Sequence, residues 1–224
     1  MLFTTLIAIT TLAPAKVDLN TVCPVMKEPV PAKAKAVEYA GGRYAFCCAG
    51  CDVTFSKDPE KFVNGAKSDT SPIGLFLFDP VTGQRILADE AKGASVFQGM
   101  RYLFATQENL TKFEAEPAKY AARPERESLT CPVEGEKIGS HSAAAGYVDY
   151  EGVRYYVCCS NCFPTLEKDL ARTIAVGRAK PISPKAAAAK DAKPYDHVSN
   201  LTTKANDCCQ SLDACCAPGS GCCG

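Results

Sequence analysis

Residues 37–63 read VEYAGGRYAFCCAGCDVTFSKDPEKFV, and the organisation of the whole chain can be worked out from this segment. Aromatic and polar residues alternate on both sides of Gly41, a pattern typical of two short strands joined by a tight turn. From Asp52 to Phe62 the apolar residues have helical spacing, and Asp58-Pro59 marks a break and the start of a second short turn. The segment therefore predicts a β-hairpin followed by short helices.

The same pattern occurs three times. Residues 96–120 read VFQGMRYLFATQENLTKFEAEPAKY and residues 149–169 read DYEGVRYYVCCSNCFPTLEKD, so the hairpin glycine recurs with an Arg-Tyr pair after it. Each copy is preceded by a matching tripeptide: Cys23-Pro24-Val25, Asp79-Pro80-Val81 and Cys131-Pro132-Val133. We predict an α+β fold of three small repeated units, each a cysteine knuckle, a β-hairpin and short helices, at residues 20–66, 76–122 and 128–178. Units this small rarely bury enough core to stand alone, so metal, disulfides or mutual packing must stabilise them.

The composition narrows the functional classes. The chain has 224 residues, with Lys+Arg 25 balanced by Asp+Glu 25, so a strong general attraction to nucleic acid is not expected. An apolar content of 46% argues against a wholly disordered chain. The unusual feature is 14 cysteines beside two histidines, which directs attention to cysteine chemistry.

The two ends differ in composition from the repeats. Residues 1–15 are apolar and end in Ala13-Pro14-Ala15, which predicts a cleaved export signal and a periplasmic or secreted protein; a cytoplasmic location is the alternative. No other segment is long and apolar enough to cross a bilayer, so no membrane span is expected after cleavage. Residues 179–207 have the composition of a linker, and residues 208–224, which have few large apolar side chains, are predicted to form a flexible Cys-rich tail.

The cysteines of the first and third units have the spacing of metal ligands. Three or four thiolates gathered by a turn suit Zn(II), Cu(I) or another thiophilic ion. Cys51 and Cys162 are expected in a first helical turn, where free N–H groups favour the thiolate. The middle unit has Asp79, Ala105, Thr106 and Asn109 at the corresponding positions, so it retains the scaffold without the site. The predicted ligands of the two units are Cys23, Cys47, Cys48 and Cys51, and Cys131, Cys158, Cys159 and Cys162.

The tail carries a separate series of paired cysteines spaced by five residues: Cys208, Cys209, Cys215, Cys216, Cys222 and Cys223. Small residues and turn formers between the last two pairs allow the chain to wrap thiolates around an ion. We predict a metal-binding tail. The alternative is an end whose thiols pair between molecules or oxidise.

These motifs together resemble the YHS domain and the related TRASH heavy-metal-binding domain. The resemblance rests on Cys-Pro-Val, then Tyr-x-Gly-x-x-Tyr-x-Phe-Cys-x-x-x-Cys, then Phe-x-x-Asp-Pro-x-Lys-Phe. It implies metal sensing, trafficking or resistance, with two ligand sets and with Cys48 and Cys159 as extra thiols. The implied ligand sets are Cys23, Cys47 and Cys51, and Cys131, Cys158 and Cys162.

Other candidate residues are interpreted as structural. His141 is expected in an exposed loop, although it lies close enough in sequence to Cys131 to complete the second site. The arginines that recur beside tyrosine favour cross-strand packing or a local salt bridge over anion binding. They are Arg43, Arg101 and Arg154, and the tyrosines expected in the hairpin core are Tyr39, Tyr44, Tyr150 and Tyr155. The sequence contains no catalytic triad, phosphate loop or dinucleotide fingerprint, so an enzyme is not expected.

The leading hypothesis is an exported heavy-metal-binding protein that captures, buffers or transfers thiophilic ions, with a metal transporter or acceptor protein as its partner. A disulfide-stabilised extracellular interaction module is the main alternative, because an exported chain with an even cysteine count can form bridges. A third hypothesis is a thiol oxidoreductase using Cys48-Ala49-Gly50-Cys51.

Overall fold

The computed structural model describes residues 21–177, 179 and 181–189. Within these residues the strands are β1 (Ala36–Tyr39), β2 (Gly42–Ala45), β3 (Gly74–Phe76), β4 (Gly93–Phe97), β5 (Met100–Phe104), β6 (Arg126–Ser128), β7 (Gly146–Tyr150), β8 (Val153–Val157) and β9 (Ala187–Ala188). The helices are α1 (Cys51–Lys57), α2 (Pro59–Asn64), α3 (Gln107–Ala115), α4 (Pro117–Tyr120), α5 (Phe163–Lys168) and α6 (Leu170–Val176). The predicted α+β fold is confirmed.

Each predicted hairpin turn has the same backbone geometry. The turn pairs Ala40-Gly41, Gln98-Gly99 and Glu151-Gly152 all have positive φ, near 49° and 78°, 48° and 75°, and 49° and 75°. Two consecutive residues with positive φ are typical of a type I′ turn, whose twist matches that of the flanking strands. The recurring glycine is therefore required by the second turn position, and β1–β2, β4–β5 and β7–β8 are antiparallel pairs.

The predicted break at Asp58-Pro59 is also present. The Asp58 side chain caps α2 by accepting a hydrogen bond from the Lys61 N–H at 3.2 Å, and Pro59 occupies the first turn of α2. Asp169 repeats this cap between α5 and α6, accepting from the Arg172 N–H at 3.0 Å. The third unit thus uses the same device to separate its two helices.

A strand that sequence analysis did not predict joins the first two units. β3 pairs antiparallel with β2 and parallel with β5, which creates a sheet of order β4-β5-β3-β2-β1-β9. The third unit forms its own sheet, β6-β8-β7, in which β6 pairs parallel with β8. The first two units therefore share one sheet.

The second and third units approach each other closely at two glycines. The Tyr147 N–H donates to Gly83 O at 2.8 Å, and Gln84 forms an isolated antiparallel bridge with Gly146. A Cβ atom on Gly146 would lie 2.5 Å from Gly83 O, so only glycine allows this approach. Phe76 and Phe78 pack beside it against the rings of Tyr147 and Tyr156. One hydrophobic core thus runs through all three units.

The hairpin side chains mostly follow the prediction. Tyr39, Tyr44 and Tyr155 are buried, whereas Tyr150 is only half-buried and does not belong to the core. Arg154 lies opposite Asp149 on the paired strand and donates to both of its carboxylate oxygens at 2.8 Å. The cross-strand salt bridge expected for these arginines is therefore present at Arg154.

Part of the predicted linker pairs with both sheets. β9 lies antiparallel to β1, and Ile182 exchanges two backbone hydrogen bonds of 2.8 Å with Glu127. The predicted signal segment and the Cys-rich tail fall outside the described residues. Among the residues that are described, no helix combines the length and apolarity needed to cross a membrane.

Candidate metal centre

The first cysteine of each site lies in a tight backbone turn. The Cys23 N–H donates to Glu28 O at 2.8 Å, and Cys23 O accepts from the Lys27 N–H at 2.9 Å. Cys131 makes the same two contacts with Glu136 and Gly135, each at 2.8 Å. Both side chains are fully buried. The turn holds each sulfur against the hairpin and the helix that follow in the chain.

The remaining ligand candidates of the first site come from the end of β2 and the start of α1. Cys47 follows the hairpin strand and Cys51 is the first residue of α1, as predicted. The sulfurs of Cys23, Cys47 and Cys51 all lie within 4.8 Å of one another. The hairpin and helix thus bring cysteines that are far apart in sequence into one cluster.

The second site repeats this arrangement. The sulfurs of Cys131, Cys158 and Cys162 also lie within 4.8 Å of one another. Cys162 Sγ is 3.6 Å from Cys131 Sγ and 3.8 Å from Cys158 Sγ. Cys162 closes a 3₁₀ turn over Ser160–Cys162 and is the N-cap of α5, so its predicted place within the helix is corrected by one residue.

Backbone donors concentrate on one sulfur in each site. Burial raises the pKa of Cys23, but hydrogen bonds from the backbone of Met26, Cys47 and Val25 lower it, and the net shift is downward from 9.0. The pKa of Cys131 is lowered in the same way, against its burial, by backbone hydrogen bonds from residues 133, 134 and 158. Cys23 and Cys131, the knuckle cysteines, are therefore the thiols that lose a proton first in their sites.

The helix-terminal cysteines behave differently from the prediction. Burial, followed by interactions with Cys48 and Cys23, raises the pKa of Cys51 to about 12. Burial also raises the pKa of Cys162, with Cys159 and Cys131 as the next contributors. The expectation that a helix start favours their thiolates was wrong, because desolvation beside other sulfurs outweighs the weak field of a helix of only six or seven residues.

The two extra thiols lie beside the sites. Cys48 Sγ is 3.1 Å from Cys51 Sγ, and Cys159 Sγ is 3.5 Å from Cys162 Sγ. Neither belongs to the groups of three sulfurs that lie within 4.8 Å of one another. All eight cysteines among the described residues are free thiols. The predicted tail ligands, Cys208, Cys209, Cys215, Cys216, Cys222 and Cys223, fall outside the described residues.

The middle unit retains the geometry of the site with different atoms. The Asp79 N–H donates to Gln84 O at 2.9 Å, the same hydrogen bond that Cys23 and Cys131 make in their knuckle turns. Asp79 Oδ1 accepts from the Val81 N–H at 2.9 Å, and Asp79 Oδ2 accepts from the Ala105 N–H at 2.9 Å. These donors correspond to the backbone groups that surround the knuckle sulfurs. A buried carboxylate thus occupies the place of a thiolate.

His141 does not complete the second site. Its side chain is buried, with Nε2 2.9 Å from Glu127 Oε2 and Nδ1 3.9 Å from Glu38 Oε2. The expected exposed loop position was wrong, because β1 of the first unit and β6 of the third cover this histidine with buried carboxylates. No local sequence signal marked Glu38 or Glu127 as its partners, since Glu38 belongs to a different unit.

The spacing of the sulfurs suits a thiophilic ion. Zn–S bonds of about 2.3 Å in a tetrahedron place sulfur atoms about 3.8 Å apart. The separations of 3.6 and 3.8 Å around Cys162 therefore need little adjustment to share one ion. Either sulfur cluster has the chemistry to hold a soft cation with three protein ligands.

A family model described as the YHS domain matches the chain at residues 22–66 and 77–123. These two segments are YHS domains. The first YHS domain contains Cys23, Cys47 and Cys51, whereas the second is the cysteine-free middle unit. The third unit, residues 128–178, lies outside the two matched segments, although its hairpin and helices follow the same order. Comparison with curated proteins and with solved structures gave no match.

Proposed function

We propose that this protein is an exported, non-catalytic carrier of thiophilic metal ions, which are its cargo. Each ion binds to three cysteine sulfurs, one from a knuckle turn, one from just after a hairpin strand and one from a helix start. The carrier captures or buffers the ion and passes it to a transporter or acceptor protein in the periplasm or outside the cell. Zn(II) and Cu(I) are the ions that best match a site made only of sulfur.

One observation supports this proposal above the others. The same three-sulfur cluster occurs at the same position in two units, whereas the middle unit has the same turn, hairpin and helix without a cysteine. The scaffold therefore does not need cysteines in order to fold. Their presence in both flanking units is best explained by a ligand that requires sulfur.

The pKa values of the thiols favour release of the ion to an acceptor as well as its capture. Each cluster combines one sulfur whose pKa is lowered with two whose pKa is raised, so protons compete with the ion for most ligands. Bound ions are therefore displaceable by protons or by another thiolate ligand. Cys47 and Cys158 are half-buried, which gives an acceptor ligand access to the site.

Isothermal titration calorimetry tests the proposal. The full chain carrying serine at its six tail cysteines is titrated with Zn(II) and with Cu(I) in reducing buffer. We expect two ions per chain, one ion for Cys23→Ser or Cys131→Ser, and none for the double variant. Ala105→Ser alters the middle-unit position that corresponds to Cys47, so this control should still bind two ions.

Two results would contradict the proposal. One is the absence of stoichiometric binding of either ion by the reduced protein. The other is an intact mass showing that the cysteines of the natively purified chain resist alkylation until a reductant is added, and become no more reactive with a chelator. That pattern indicates disulfides, whereas thiols that a chelator releases indicate a bound ion.

A further inference from the structure

Each sulfur cluster shares one cysteine with a second, overlapping pair. Cys51 belongs to the group of three sulfurs with Cys23 and Cys47, and its sulfur also lies 3.1 Å from that of Cys48. In the third unit Cys162 is shared in the same way, with Cys159 Sγ at 3.5 Å. Cys48 and Cys159 themselves stay outside the three-sulfur groups. One sulfur therefore has two competing sets of partners.

We propose that Cys48–Cys51 and Cys159–Cys162 form reversible disulfides that release the metal ion, so that each site is controlled by thiol–disulfide exchange. This inference rests on the proposed metal-binding function and adds its regulation. A disulfide at Cys51 removes one of three ligands from the first site. The two sulfurs that remain, on Cys23 and Cys47, are too few to hold the ion against competing ligands.

In the first unit the sulfur–sulfur distance favours Cys48–Cys51. In the third unit Cys159–Cys162 and Cys131–Cys162 are nearly equal at 3.5 and 3.6 Å, and the short Cys-x-x-Cys ring favours Cys159–Cys162. A disulfide needs sulfurs about 2.0 Å apart, so Cys48 and Cys51 must approach by only about 1 Å. A bond between the adjacent residues Cys47 and Cys48 is strained. A disulfide across the Cys-x-x-Cys spacing closes the smallest ring that avoids the strain of bonding adjacent cysteines. The same spacing recurs at Cys159 and Cys162.

The approach to the pair is open to a small oxidant. Ala49 and Gly50, between the two cysteines, are exposed, and a Cβ atom on Gly50 would meet no atom within 4 Å. Cys48 is half-buried and Cys51 is buried, so Cys48 is the sulfur that an incoming reagent meets first. Ser160 and Asn161 leave the second pair equally open.

The exchange uses a low-molecular-weight disulfide such as oxidised glutathione. The Cys48 thiolate attacks one sulfur of the reagent, forming a mixed disulfide and releasing one glutathione thiolate. The Cys51 sulfur, freed from its proton or from the metal ion, then attacks the Cys48 sulfur and releases the second glutathione. The protein pair gives two electrons to the reagent, and a dithiol reverses both steps.

Adjacent cysteines provide a matched pair of variants. Cys47→Ser removes a metal ligand but leaves the Cys48–Cys51 pair intact. Cys48→Ser removes the disulfide partner but leaves the three-sulfur group intact. Both are made in the full chain with serine at the tail cysteines, together with the equivalent Cys158→Ser and Cys159→Ser.

The first measurement needs no metal. The metal-free protein is treated with oxidised glutathione, alkylated and digested with trypsin, which yields the peptides 44–57 and 155–168. We expect each peptide to lose two hydrogen atoms, with the alkyl group on Cys47 and on Cys158. Cys47→Ser should still form its disulfide, and Cys48→Ser should not. A disulfide that forms at Cys47, or none at all, would overturn the proposal.

The second measurement follows Zn(II) with a chromogenic chelator. Zn(II)-loaded protein should release its ions when oxidised glutathione is added and rebind them after dithiothreitol. The Cys48→Ser, Cys159→Ser variant should bind two ions when reduced and retain them in oxidant. If this variant released its ions in oxidant as readily as wild type, the redox switch would be overturned. The switch would also be overturned if the reduced variant failed to bind ions, because Cys48 and Cys159 would then be ligands. If reduced wild-type protein bound neither Zn(II) nor Cu(I), the metal-carrier function itself would fail, and the switch with it, before any oxidant was added.

Discussion

Asn109 Nδ2 donates a hydrogen bond of 2.8 Å to Asp79 Oδ2 in the middle unit, at the position where the flanking units bring Cys51 to Cys23 and Cys162 to Cys131. Both side chains are buried. The hydrogen bond ties the knuckle turn to the start of α3, as a shared metal ion would tie the equivalent elements of the other units. The middle unit thus closes the same junction without an ion.

Removing this bond should destabilise the middle unit. Asn109→Ala leaves one buried oxygen of Asp79 with a single donor, and we expect a loss of about 1–3 kcal/mol in the free energy of unfolding. Asp79→Ala should cost more, because it also leaves the Val81 and Ala105 N–H groups without their acceptor. Urea denaturation of the metal-free protein measures both changes. Asp89→Ala, at an exposed carboxylate of the same unit, is the control and should leave the midpoint unchanged.

Cysteines placed in the middle unit should create a third metal site. Its backbone already positions residues 79, 105 and 109 like the ligands of the flanking units, so Asp79→Cys, Ala105→Cys and Asn109→Cys together should raise the Zn(II) stoichiometry by one ion per chain. The same three positions changed to serine provide the control, with no added ion. A cysteine variant that folds, by near-ultraviolet circular dichroism, yet binds only two ions would show that the three units differ in backbone geometry.

The parts of the fold that could be predicted are set by residues that lie close together in sequence. The hairpins were predictable because Gly41, Gly99 and Gly152 fill a turn position that needs positive φ. The break at Asp58-Pro59 was predictable because a cap and a proline act within one helical turn. These features depend on neighbours in sequence, so the pattern of residues is enough to find them.

Long-range contacts explain what was missed. β3 and β6 contain three residues each and pair parallel with strands distant in sequence, so no alternation marks them. The burial of His141 depends on Glu38 of another unit. The pKa values of Cys51 and Cys162 were mispredicted because burial, the main cause of their upward shifts, arises only when the folded chain covers these sulfurs.

The buried histidine should stabilise the junction between the first and third units. His141 lies between the carboxylates of Glu38 and Glu127, and the Ser142 N–H donates to Glu38 Oε2 at 3.1 Å. His141→Ala leaves the buried Glu127 side chain without its imidazole partner, and we expect a loss of about 1–3 kcal/mol in unfolding free energy. His141→Gln keeps one hydrogen-bond donor and should lose less. Thermal and urea denaturation measure both, and equal stability of His141→Ala and wild type would contradict this role.

Metal affinity should fall steeply as the pH is lowered. Two thiols in each site have raised pKa values, Cys47 and Cys51 in the first and Cys158 and Cys162 in the second, with those of Cys51 and Cys158 at about 12. Both thiols of a site are therefore protonated at neutral pH and must lose a proton to the solvent when they bind an ion. Protons therefore oppose binding, and the Zn(II) affinity should rise with pH between about pH 6 and pH 8 with more than one proton released per ion. Calorimetry in two buffers with different ionisation enthalpies counts these protons. Cys48→Ser should leave the count unchanged, because Cys48 lies outside the three-sulfur group, whereas a pH-independent affinity would mean that the sulfurs do not bind the ion as thiolates.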